Sequence, residues 1–244
     1  EDDFSFDLKV FDQLVNERTR MIVLNSPSNP TGGVMPLSAL EHIAAVAQER
    51  DIWVLSDEIY ARLVYETPAP SIVSIPGMVD RTIICDGFSK TYAMTGWRLG
   101  YGIMPKPLAE RVELLLTHSV GCTAAFTQIA GLEAITGPQE QAEAIIAEYR
   151  RRRDVLVEGL NEIPGMSCRL PQGAFYAFPN ITRFGRSSDW LAEYLLEEAG
   201  VALLPGTSFG SHGEGYLRLC FANSIQNLQE ALKRIREALI KLPL

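Results

Sequence analysis

The chain has 244 residues, 47% of them hydrophobic, and carries 22 Lys plus Arg against 30 Asp plus Glu, a net charge of −8. That is enough apolar chain for one large core or two modest ones, and the acidic balance argues against a nucleic-acid or anionic-membrane surface. Cys85, Cys122, Cys168 and Cys220 are too dispersed for a CxxC metal pair or a dense disulfide framework and fit a reducing, cytoplasmic setting, and no apolar run reaches the roughly 20 residues of a membrane span.

The chain opens on Glu1 with "EDDFSFDLKVFDQLVNERTR", which reads as mid-domain sequence, so a preceding segment is expected. Next, "MIVLN" reads as a strand, and "LSALEHIAAVAQERD" as a helix whose Leu37, Leu40, Ile43, Ala44 and Ala47 recur at the spacing of one amphipathic face. Three further apolar runs follow, "IWVLSDE", "TIICDGFSK" and "LGYGIM". Strand, helix, strand in succession predicts a mostly parallel sheet covered by helices, because parallel strands need a crossover. Residues 105–136 read as helical with a polar break at "THSVGCT", and "QEQAEAIIAEYRRRRDVLVEGLNEI" as one long helix closed by Pro164-Gly165. Beyond it come the strand "GAFYAF", the helix "SDWLAEYLLEEA", the strands "VALLPG" and "YLRLCFA", and a last helix after Asn223-Ser224. That order predicts an α+β unit and a boundary near 145, giving domains 1–145 and 146–244.

In parallel sheets ligands gather beyond the carboxyl ends of the strands, so the polar residues after each apolar run are the candidates. The first run is followed by Asn29-Pro30, the second ends in Asp57 and Tyr60, and the third leads into Lys90 and Arg98. Taken singly each is ordinary: a turn signal, a helix N-cap, a solvated cation. Side by side they offer a carboxylate that would keep a pyridine nitrogen protonated, an amine able to form a Schiff base, and a guanidinium suited to phosphate. Pyridoxal phosphate asks for all three. In "YLRLCFA", Leu217, Leu219 and Phe221 alternate on to one face and leave Arg218 on the other.

The motifs "SNPTGG", "SDEIY", "SKTYAMTGWRLGY" and "YLRLCF", in this order, resemble those of the fold type I, class I/II aminotransferases. The resemblance runs from about residue 5 to the C-terminus. It implies an incomplete α/β large domain with a mostly parallel sheet, followed by a smaller α+β domain, and pyridoxal 5′-phosphate as cofactor. It further implies that Lys90 carries the cofactor as a Schiff base and shuttles the α-proton, that Asp57 pairs with the pyridinium nitrogen, and that Tyr60 and Asn29 bond the ring's phenolic oxygen. Arg98 and Ser89 would hold the phosphate. Arg218, with Asn29, would bind the substrate's α-carboxylate, and Asn29 is followed by a proline that in such proteins is often cis. Amino-acid and 2-oxo-acid substrates, a cytoplasmic location and a homodimer are implied in the same way, and no nucleic-acid or membrane partner is.

Two features depart from the pattern. Gly87 stands where some members have a phosphate-binding serine, and the family's glycine-rich phosphate loop is not found in residues 1–244. A β-eliminating C–S lyase would use the same cofactor residues, and an aminotransferase-like effector domain of a transcriptional regulator would keep the fold without turnover. His42, His118 and His212 are scattered, with no HExxH, so no metal chemistry is expected.

Overall fold

A computed structural model describes residues 4–242. The chain forms two compact units. One comprises Ser5–Pro27 and Val34–Ile145; the other gathers Phe4, the short segment Ser28–Gly33 and the chain from Ile146 onward.

The first unit is built on a four-stranded sheet in the order β1 (Met21–Asn25), β2 (Trp53–Asp57), β3 (Thr82–Gly87), β4 (Gly100–Ile103). The first three strands are parallel, and β4 runs antiparallel to β3. Ile22, Leu24 and Val54 turn to a core shared with Phe11 of α1 (Leu8–Leu14) and with Leu40, Ile43, Ala44 and Ala47 of α2 (Leu37–Glu49). Each large aliphatic chain buried there contributes about 1.5–3 kcal/mol. The expected α2 face needs one correction. Leu37 is 47% exposed, and Ala39 is buried instead. Leu37 is the first helical residue, ahead of the turn that packs against the strands.

Only one of the crossovers in this sheet is an α-helix. Between β2 and β3 the chain carries Pro68, Pro70 and Pro76, which cannot donate to a helical ladder, and it makes two single 3₁₀ turns at Ile72–Ser74 and Val79–Arg81. Between β3 and β4 the chain makes only tight turns and one 3₁₀ turn (Thr95–Trp97) and no crossover helix, and the fourth apolar run returns as an antiparallel edge. Helices α3 (Lys106–Ser119) and α4 (Ala125–Thr136) follow, separated at the predicted polar break.

The second unit holds most of α5 (Glu140–Asn161) and a three-stranded antiparallel sheet ordered β5 (Tyr176–Ala177), β7 (Leu217–Cys220), β6 (Leu204–Pro205). The strands expected at 173–178 and 201–206 are thus cut to two residues each. Ala174 at φ 57° bends the start of the first, and Pro205 lacks the N–H to extend the second. Helices α6 (Ser188–Ala199) and α7 (Ile225–Leu239) are capped by Ser187 and Ser224, whose hydroxyls accept from Trp190 N and Asn227 N. Gly159 on α5 has no Cβ, and Leu232 of α7 fills that space. Among the described residues no helix is long and apolar enough to cross a membrane.

Candidate active site

In the sheet unit the register sets Asn25, Asp57 and Cys85 in one row across β1, β2 and β3. Parallel strands lie about 4.8 Å apart, so residues at or just beyond this row are neighbours whatever their sequence separation. The Asn25 amide donates to Asp57 Oδ2 at 3.1 Å, and the backbone N–H of Ile59 reaches Asp57 Oδ1 at 3.2 Å. Both oxygens are therefore oriented, and the carboxylate is half-buried. The adjacent Glu58 is held by the hydroxyls of Ser56 (3.0 Å) and Ser71 (2.6 Å), which leaves Asp57 as the acid at the strand end.

Tyr60 follows in the turn after β2 and is buried. Lys90 follows β3 in a tight turn in which Tyr92 N and Met94 N both bond to Phe88 O. Its Nζ lies 5.9 Å from the centre of the Tyr60 ring. Asp57, Tyr60 and Lys90 thus occupy neighbouring strand ends. Asp57 also acts on β3: burial, and secondarily its charge, push the Cys85 thiol up from its ordinary value. Burial likewise raises the Asp86 carboxyl, partly offset by bonds from Gly87 N–H and the Tyr101 hydroxyl and increased by repulsion from Asp57.

Ser89 is half-buried beside Lys90. Arg98 stands further along, in the left-handed region at φ 55°, exposed, with Nη1 on Thr95 O at 2.9 Å. It lines a surface cavity of about 760 Å³ together with Ala93, Thr123 and Thr127. At Gly87 a Cβ would lie 3.1 Å from both Gly100 Cα and Leu99 O, so close approach of β3 to β4 is the physical reason for glycine here and not serine.

The second unit holds the other two residues singled out from sequence. Arg218 Nη1 donates to Asn29 Oδ1 at 2.9 Å, although 189 positions separate them. The Asn29–Pro30 bond is cis, as is Ser26–Pro27. The Arg218 guanidinium lies between two rings, 4.4 Å from the centre of Tyr176 and 4.8 Å from that of Phe209. Leu217, Leu219 and Phe221 are buried, which turns Arg218 to the opposite side of β7. An aromatic sandwich of this kind orients a planar cation while keeping its edge available to a carboxylate.

The family model for aminotransferase class I and II matches residues 1–235. The chain belongs to the class I and II aminotransferase family. It is 42% identical to an aspartate aminotransferase of Pyrococcus horikoshii over 92% of its own length and 58% of that protein's. Among solved structures, an aromatic aminotransferase of Pyrococcus horikoshii superimposes with a TM-score of 0.94 at 39% identity, covering 98% of this chain and 64% of that one. An aspartate aminotransferase of Thermus thermophilus with maleate gives 0.89 at 38% identity, over 96% and 61%. The chain therefore spans about 60% of the length of these family members.

Sequence reasoning missed Asn25 and Phe209. Asn25 could have been found: it ends its strand as Asp57 ends the next, and a parallel register with no offset makes them partners. Phe209 carried no such signal, since its place over Arg218 depends on the 3₁₀ turn Gly206–Phe209, whereas Tyr176 lies in the strand "GAFYAF" read from the sequence.

Proposed function

We propose that this protein is a pyridoxal 5′-phosphate-dependent aminotransferase that moves an amino group between an amino acid and a 2-oxo acid. The observation that carries the reading is the row of strand ends in the sheet unit, where an oriented carboxylate, a buried phenol and a primary amine are neighbours. The donor set fits the cofactor chemically. Asp57 is an acceptor for a protonated ring nitrogen, with Asn25 and Ile59 N–H fixing its oxygens. Lys90 is the one lysine in this set, and Tyr60, Ser89 and Arg98 of the same unit would supply further polar contacts. When bound, the cofactor supplies an aldehyde for the substrate's amine and a cationic ring that delocalises the electron pair left by the departing α-proton.

The chain's own residues do the rest. Asp57 keeps the partner nitrogen charged, because an opposite charge at a partly desolvated site favours the ionised form. Lys90 would hold the cofactor's aldehyde carbon, and its Nζ, once freed, would be the group that takes the substrate's α-proton and returns it two bonds away, across the nitrogen. Arg218 takes the α-carboxylate through paired N–H donors, and Asn29 and the two rings fix the plane in which it does so. The relatives act, by their names, on aspartate and on aromatic amino acids. Arg218 accounts for the carboxylate shared by all such substrates. The two units correspond in this reading to part of a large cofactor domain and a small domain, in a cytoplasmic protein that works as a homodimer.

The test is chemical. Purified protein incubated with pyridoxal phosphate and reduced with borohydride should carry the pyridoxyl label on the peptide containing Lys90, and Lys90→Ala should abolish both labelling and amino transfer to 2-oxoglutarate. Label fixed at another lysine, or none at saturating cofactor, refutes the assignment. Release of thiol from cystathionine without amino transfer would give the site to a lyase.

A further inference from the structure

Four consecutive arginines, Arg150 to Arg153, open the second half of α5, and one of them is 2% exposed. A guanidinium held out of water costs several kcal/mol unless its donors are matched, and an aliphatic side chain of similar size would avoid that cost. Arg153 is matched locally by Asp154, with Nε and Nη2 both 2.8 Å from Oδ1. Its Nη1 reaches away from the helix and donates to the carbonyl of Pro171 at 2.8 Å.

That carbonyl belongs to a turn which grips the segment bearing Asn29. The N–H groups of Gln172 and Gly173 both bond to Gly32 O at 2.9 Å. Gly32, at φ +68°, sits so close that a Cβ on it would be 2.5 Å from Pro171 Cβ and 2.9 Å from Gly173 O. The Ser28–Gly33 segment is itself closed, with Ser28 N on Gly33 O and Gly32 N on Ser28 O, each at 2.9 Å. Within that ring Asn29 holds Arg218. The same helix face makes a second connection: Tyr149, one turn before Arg153, packs on Phe175 at 5.6 Å, and Phe175 on Tyr176 at 4.8 Å, the ring that covers Arg218.

We propose that Arg153 is a positioning residue for Arg218. By fixing the Pro171 carbonyl it sets the Gln172-Gly173 turn, hence the Ser28–Gly33 ring, hence the Asn29 amide that orients the Arg218 guanidinium. This rests on the reading of Arg218 as the carboxylate anchor, yet the link between the two arginines can be measured without any ligand.

The experiment follows hydrogen exchange at the Arg218 Nε–H by nitrogen-15 NMR on the whole chain, the signal being assigned by its loss in Arg218→Lys. Arg153→Met should speed that exchange about tenfold, the equivalent of one lost charge-assisted hydrogen bond, and Arg153→Lys by a smaller factor. Gly32→Ala, which disturbs the same contact from the other side, should add little when combined with Arg153→Met, because the two act on one link. Arg234, paired with Glu230 at 2.7 Å on α7, is the control and should keep its wild-type rate. A folded Arg153→Met with wild-type exchange at Arg218 overturns the proposal, as does equal acceleration at Arg234. Should Arg153→Met fail to fold, Arg153→Lys decides on the same criterion. In the wild type, 2-oxoglutarate should slow exchange at Arg218. If it does not, the carboxylate anchor is wrong, while the Arg153 link still stands or falls on the ligand-free rates.

Discussion

Cys168 shows how much of a residue's chemistry is set by its surroundings. Burial pushes its thiol up to about 12, against a smaller lowering from the Phe178 N–H. The unfolded chain loses this proton near the ordinary value of 9.0 and the folded chain near 12, so the stability contribution is whole below pH 9 and is lost as pH rises toward 12. By about pH 10.5 the loss should be on the order of 2 kcal/mol. Denaturant titrations at rising pH should show that decline, and Cys168→Ala should flatten it. In the native protein at neutral pH a thiol reagent should modify the exposed Cys122 and Cys220 and spare Cys168. At this scale the sequence was uneven as a guide. Arg218 was legible because alternating apolar neighbours set its direction. Arg153 was not, since a run of four cations reads as a solvated face, and which of them turns inward depends on the carbonyl of Pro171, reached only through tertiary structure.

Among the elements, the turn after β6 has the least tolerance. A Cβ on Gly206 would fall well inside van der Waals contact distance of Gly213 O, and one on Gly213 would do the same to Gly206 O, so two backbone segments touch where no side chain fits. Gly206→Ala should cost about 3 kcal/mol and move the melting temperature down by roughly 6–12 °C. Because Phe209 in the same turn covers Arg218, a variant that still folds should also bind carboxylates more weakly than wild type. Helices were read well from sequence because periodicity and caps are local: α3, α4 and α5 lie where the pattern puts them. The short strands β5 and β6 were read too long. Their ends are fixed by a left-handed Ala174 and by Pro205, and pairing needs a partner the local sequence does not name. The antiparallel direction of β4 follows from the missing helix before it, which a count of apolar runs alone does not reveal.

Across the sheet unit as a whole, the apolar surface is unusually open. Phe126 (70%), Ile129 (69%) and Leu132 (63%) recur on one side of α4, and Val23 (67%) projects from the face of β1 opposite Ile22 and Leu24. The sheet pairs β1 and β4 on one side only, so among the described residues both outer strands offer unpaired backbone. Contiguous apolar patches and open edges drive association. The 244-residue chain alone should therefore self-associate with rising concentration and bind an apolar dye, both measurable by sedimentation and fluorescence. Charged substitutions at Phe126 and Ile129 should reduce both; a monodisperse monomer that ignores the dye would contradict this.

The placement of Ser28–Gly33 with residues far downstream has a practical reach. Anyone cutting the gene at the α5 boundary to express the C-terminal portion by itself would discard six residues that it folds around. The orphaned piece would lose the amide that steadies Arg218 and the carbonyl that Gln172 and Gly173 share. Dissection into independent modules is thus ruled out by the path of the backbone, and a split protein would regain this pocket only if the early fragment returned as a bound peptide.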